Sequence, residues 1–134
     1  MNRQEIRIQN ETREIAKQAP SFAALSQQDG RVYVHLATAE LTERFLRQAE
    51  RESFCFPDST KPTSRHASTV MALNPDHTIS YVGTIGHIAY GSGTDTVGGK
   101  PLIRVDYAVW DAVAKTNTRN NRAGKSLARS EQAW

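Results

Sequence analysis

The chain has little with which to cross-link itself or to cross a membrane. Cys55 is the one cysteine among 134 residues. That excludes an internal disulfide framework and makes a reducing, cytoplasmic compartment the expectation. No run approaches the roughly 18 consecutive apolar residues of a spanning helix. The opening MNRQEIRIQNETREIAKQ carries acidic residues and no apolar segment, so it is not read as a secretory signal. Internal repeats are absent. Positive charge is also missing from most of the chain, although the formal total is +3. Lys115, Arg119, Arg122, Lys125 and Arg129 face only Glu131 after residue 114, an excess of four that leaves about −1 to residues 1–114. A broad nucleic-acid-binding face on the body is therefore not expected.

What is present reads as one α+β domain with a mainly antiparallel sheet: an N-terminal helix in 1–20, a core in 31–114 and a basic tail in 115–134. Ile6, Ile8 and Ile15 give the polar first helix only a thin apolar stripe, which suggests packing on a partner or fraying. RVYVHLA alternates cleanly, with Val32, Val34 and Leu36 on one side and Arg31, Tyr33 and His35 on the other, as a half-buried strand does. Thr38 is a suitable N-cap for the helix that follows, whose stripe is Leu41, Phe45 and Ala49. Glu40–Arg44 and Glu43–Arg47 are i,i+4 pairs worth about 0.2–0.5 kcal/mol each. FCF is a candidate short strand, and Cys55 between its two Phe reads as a small buried apolar residue. STVMAL and TISYVG flank the turn NPDH as a hairpin, GHIAYG is a candidate third strand, and PLIRVDY a last one. Tyr107, Trp110 and Val113 open a terminal helix.

Familiar catalytic templates fail. GTDTVGGKP has Thr94 and Pro101 where a P-loop needs glycine and a hydroxyl residue, and Gly91 and Gly93 are followed by Thr96 where a dinucleotide fingerprint needs its third glycine. Only His66-Ala-Ser68 has the form of a phosphoesterase half-motif, and no Cys/His spacing suits zinc. The chain is therefore expected not to be an enzyme and to need no cofactor or metal. Anion-binding and base-binding residue types remain. PDSTKPTSRHAST (57–69) holds six hydroxyl residues with Lys61, Arg65 and His66. It is either a solvated connector or a cradle in which Arg65 forks onto a phosphate, Thr63, Ser64 and Ser68 donate, and Lys61 adds charge. Tyr90 lies among glycines and is either a core tyrosine or a ring on which a base stacks. Arg104 lies mid-strand, on the surface or in a groove. His35 and His87 read more as structural than as functional residues. In the tail, Asn117, Arg119 and Arg122 are either solvated or close over a ligand.

The succession HLATAELTERFLRQAE, FPDSTKPTSR, MALNPDHTISYVGTIGHIAYGSG and PLIRVDY, across residues 31–107, resembles the phage-encoded anti-Thoeris sponges of the first-described type. The resemblance implies a small α+β homo-oligomer, a dimer or trimer of dimers. It would sequester cyclic ADP-ribose isomers, and in some members cyclic di- or trinucleotides, without cleaving them. It implies an arginine and an aromatic grip on the signal, for which Arg65 and Tyr90 are the positional matches, with Arg104 or Arg119 as a further phosphate contact; Lys61, Thr63 and Ser64, from the reading of the loop, and His87 complete the candidate ligand-binding residues. An asparagine contact has no match in TDTVGGK. The rival readings are a DNA-binding accessory protein using the basic tail and a small nucleotide hydrolase using His35, His66 or His87.

Overall fold

The structure, a computed structural model, describes residues 2–116. Its element order is α1 (Arg3–Gln18), α2 (Phe22–Ser26), β1 (Arg31–His35), α3 (Ala39–Arg51), β2 (Val70–Leu73), β3 (Ile79–Tyr81), α4 (Gly83–Gly91), β4 (Thr96–Val97) and β5 (Lys100–Asp106). Residues 107–116 are helical and are called α5. The five strands form one sheet in the order β3-β2-β1-β5-β4. Three pairings are antiparallel; the central one, β1 with β5, is parallel. The α+β reading stands, with a mixed sheet. Nothing local announces the parallel pair, because β5 enters it from a hairpin some 50 residues after β1 has left through α3.

The β1–α3 unit forms as its pattern requires. Thr38 accepts from the Leu41 amide at 3.2 Å, and Phe45 and Ala49 are buried. Of the two expected ion pairs, Arg47–Glu43 closes at 2.6 Å, whereas Arg44 turns away from Glu40 to Asp111 of α5. The hairpin β2–β3 also forms. Asp76 accepts from both the amide and the hydroxyl of Thr78, and His77 takes the left-handed φ of 64° that the turn demands.

Two segments depart from expectation. GHIAYG is helix, not strand: Gly86, Ala89 and Tyr90 face inward at helical spacing. Packing makes the helix here, even though three glycines make α4 a weak helix by itself. FCF contributes a single parallel bridge, Cys55 to Thr78, with Phe54 and Phe56 buried and Cys55 half-buried.

Val32, Val34, Met71, Leu73, Ile79 and Val105 point to one face of the sheet, where α2, α3 and α5 close the main core. Phe22 is its centre, 5.1 Å from Phe45 and 5.4 Å from Trp110, ring to ring. The Trp110 indole donates to the Ala19 carbonyl at 2.9 Å. The opposite face, expected to meet water, is covered over Tyr33 and Val70 by α4 and by Ile8 of α1. The thin stripe of α1 is explained by the sheet edge. β4 pairs only with the first residues of β5, and α1 covers the rest with Ile8, Thr12 and Ala16. The Thr12 hydroxyl accepts from the Asp106 amide at 3.1 Å.

Burial pushes the phenols of Tyr90 and Tyr107 well above the ordinary range. Asp106 adds to the first and Asp111 to the second, against Arg104 and Arg44 respectively. The folded chain then keeps two protons that the unfolded chain releases near pH ~10, so stability must fall as pH rises above that point. The expected slope approaches about 2.7 kcal/mol per pH unit. Urea midpoints from pH ~9 to ~11 check it, and Tyr107→Phe should halve the slope.

Candidate functional site

Because β1 and β5 run parallel and β2 runs against them, the C-terminal ends of β1 and β5 and the start of β2 lie at one end of the sheet. The hydroxyl-rich loop 57–69 leads into β2 and so reaches that same end, beside His35 and Asp106. Of the expected site residues, those of the loop, Lys61, Thr63, Ser64 and Arg65, are carried to this end.

The loop is built largely from its own hydrogen bonds. Asp58 Oδ1 accepts from the Thr60 amide (3.1 Å) and hydroxyl (2.7 Å), which closes a turn containing Ser59 at φ 70°. Thr63 donates to Glu50 of α3 at 2.8 Å, and Ser64 to the Lys61 carbonyl at 2.6 Å. These two hydroxyls, expected to donate to a ligand, are therefore engaged within the fold. Lys61 is exposed. Arg65 is held differently. Its guanidinium lies 4.3 Å from the Phe56 ring centre and 5.2 Å from that of Tyr81, over a pair of rings stacked at 5.5 Å. The Tyr81 hydroxyl donates to the His66 carbonyl and so ties the platform to the loop. One edge of the fork reaches Asp58 at 3.2 Å, and the side chain is 37% exposed. The Thr60 hydrogen bonds, with Arg65 adding, hold the Asp58 carboxyl below the usual carboxylate range. Arg65 is thus oriented by stacking and, among the described residues, opposed only by one exposed carboxylate, a geometry suited to an incoming phosphate.

The other expected contacts are elsewhere. Tyr90 does not offer an open ring: it is 8% exposed and stacks on His35 at 5.3 Å, because α4 lays that side chain onto the sheet instead of leaving it between glycines. Arg104 is neither on the surface nor open to a groove. It is 7% exposed, and its guanidinium donates to the carbonyls of Tyr90 (2.8 Å), Ala89 (2.9 Å), Ser92 (2.7 Å) and Thr94 (2.7 Å). It closes the C-terminal end of α4, where the carbonyls carry the negative end of the helix dipole. His87 bridges the Gly83 carbonyl (2.8 Å) and the Thr69 hydroxyl (3.0 Å), which pins α4 to the start of β2. Arg119, with Asn117, Arg122 and nearly all of the tail, lies outside the described residues.

Tyr81 stands in register with Met71 and shares the main-core face, whereas His35, paired with Val70, carries Tyr90 on the opposite face. The sheet therefore separates Arg65 from Tyr90 and Arg104, and these residues do not form one pocket within the chain. Phe56 and Tyr81, the platform itself, were not among the expected site residues. The alternation Ile79–Tyr81 places Tyr81 on the same face as the core, which is the one sequence signal for it. Among the described residues no three His, Cys, Asp or Glu side chains gather as a metal site would require. No family model, no curated protein and no solved structure matches this chain.

Proposed function

We propose that the chain is a non-catalytic binder of cyclic nucleotide signals, cyclic ADP-ribose isomers foremost, which suppresses bacterial anti-phage defence by holding them as a cytoplasmic homo-oligomer. The observation that supports this is Arg65. It is a guanidinium set on two aromatic rings, half open, in a loop with Lys61 and with only Asp58 to displace. A phosphate or pyrophosphate would take the fork from Asp58, since a bidentate arginine contact to phosphate is among the stronger polar contacts. A sequestering protein acts by lowering free ligand, so tight binding is the property to measure. Calorimetric titration of the full chain with cyclic ADP-ribose isomers, cyclic dinucleotides and cyclic trinucleotides is expected to show binding to at least one. The ligand should be recovered intact after heat denaturation. Recovery of a changed ligand, or no binding across the panel, overturns the reading.

A second reading, nucleic-acid binding, has a specific observation behind it. Arg44, Arg47 and Arg51 of α3 and Lys115 of α5 line a groove of about 200 Å³ in which the only carboxylate is Asp111. Arg44 and Lys115 share that buried carboxylate, while Arg51 makes no ion pair among the described residues. Arg44 to Arg51 spans about 10 Å at 1.5 Å per residue, close to three phosphates along one strand of a duplex. On this reading, Arg47→Gln with Arg51→Gln should weaken duplex binding and flatten its salt dependence by about two in log–log slope. Fluorescence anisotropy between about 50 and 200 mM salt measures it. An unchanged slope removes the groove from consideration.

A further inference from the structure

The sheet face that carries α4 is incompletely covered, and what lies open there has two chemical halves. On one side of Tyr33 and Val82 is a hollow of about 220 Å³ over β1, β2 and β3, with Ala72 and Ser80 as small floor residues, Asn74 at one wall and Arg31 and Lys100 at the other. On the far side of the same two residues is a second hollow of about 380 Å³, walled by Ile85, Ile88, Ala89 and Val97. Tyr33 and Val82 line both, so the two hollows adjoin as a trough divided by these side chains. Their combined size is that of a small-molecule site. Neither half is lined by a carboxylate.

The cationic half is arranged, not merely charged. Arg31 donates through Nε to the Val97 carbonyl at 3.2 Å. Gly98, at φ 57°, lies beneath the guanidinium, where a Cβ would stand 3.2 Å from its terminal nitrogen. One donor is thereby fixed, and among the described residues the terminal nitrogens of Arg31 meet no acceptor and Lys100 no carboxylate. In the apolar half, Ile85 is 83% and Ile88 64% exposed, the highest values among the large hydrophobic residues described. α4 carries no Asp, Glu, Lys or Arg. Adjacent exposed isoleucines on an uncharged helix, facing two cations across a tyrosine, call for a ligand with the same division.

We propose that this trough binds a small amphipathic anion. Its apolar or aromatic part lies on Ile85, Ile88 and Val97, and its phosphate, sulfonate or carboxylate reaches Arg31 and Lys100. The site is separate from Arg65, and its occupancy does not depend on what Arg65 binds.

The test is fluorescence titration of the full chain with anilinonaphthalene sulfonate, itself a small amphipathic anion. Arg31→Gln with Lys100→Gln should weaken binding at least ~10-fold, as expected for loss of charge-assisted contacts. The same pair should change binding of the uncharged phenylnaphthylamine less than ~2-fold, because hydrophobic contact does not depend on the cations. Ile85→Ser with Ile88→Ser, both at exposed positions, should weaken both probes. Arg65→Ala should weaken neither. Displacement by adenosine monophosphate identifies a nucleotide-like occupant, and displacement by dodecanoate an acyl one. The proposal is overturned if sulfonate binding survives either double change, or if neither competitor displaces it. It is also overturned if the probe does not bind; isoleucine changes that then lower the sedimenting mass would make the trough a contact between copies.

Discussion

Replacing Arg104 with methionine is expected to lower the unfolding free energy by about 3–4 kcal/mol, as expected for removing a buried charge to which several carbonyls are bonded. Four carbonyls from Ala89, Tyr90, Ser92 and Thr94 converge on this guanidinium, and methionine, which fills similar space, satisfies none of them. The loss should fall first on α4. With three glycines in nine residues, that helix has little intrinsic stability and depends on its C-terminal clamp, on His87 bonding to Thr69, and on the burial of Ala89 and Tyr90. Amide hydrogen exchange should therefore show lost protection across 86–92 before β1 changes. Arg104→Lys keeps the charge but not the fork and should lose about half as much. A urea midpoint unchanged by Arg104→Met would mean that the carbonyls find other donors, and the clamp would have to be abandoned.

Arg104 also shows where the sequence was legible and where it was not. Period-two alternation in RVYVHLA and period-3.6 spacing in the helix after Thr38 both survive, because each element is judged against a core that its own pattern implies. The NPDH turn survives because its chemistry is local: Asp76 bonds two residues ahead in any fold. GHIAYG failed for the opposite reason. Its helix is made by partners 14 to 18 residues away in sequence, Arg104 and Thr69, which no window of nine residues contains. The same limit governs the site. Arg65 was identifiable as an arginine in a polar loop, but its value depends on Phe56 and on Tyr81, sixteen residues later in the chain. Tyr90 and Arg104 stand out in the sequence by residue type, and type alone does not report burial. Thr12 and Ala16 give no signal in an apolar stripe of isoleucines, yet it is through these small residues, which allow close approach, that α1 meets the sheet edge beside Ile8.

Arg65→Ala is expected to weaken cyclic nucleotide binding by at least ~100-fold, about 2.7 kcal/mol, as loss of a bidentate charged contact implies. Stability should change little, because the ion pair with Asp58 is exposed and such pairs contribute at most about 1 kcal/mol. Arg65→Lys tests whether the platform matters. An ammonium keeps the charge but neither forks nor lies flat on Phe56 and Tyr81, so most of the affinity should still be lost. Tyr81→Leu removes one ring at a position that is 41% exposed, where the fold tolerates change, and should weaken binding about 10-fold by releasing the guanidinium from its orientation. Asp58→Asn moves the other way. The amide oxygen still accepts from Thr60 and keeps the turn, but the competing charge is gone, so affinity should rise by up to about fivefold, the equivalent of an exposed ion pair. The opposite signs at Arg65 and Asp58 separate a phosphate site from a structural loop. If the loop is only a connector, both changes act on stability in the same direction and neither moves ligand affinity.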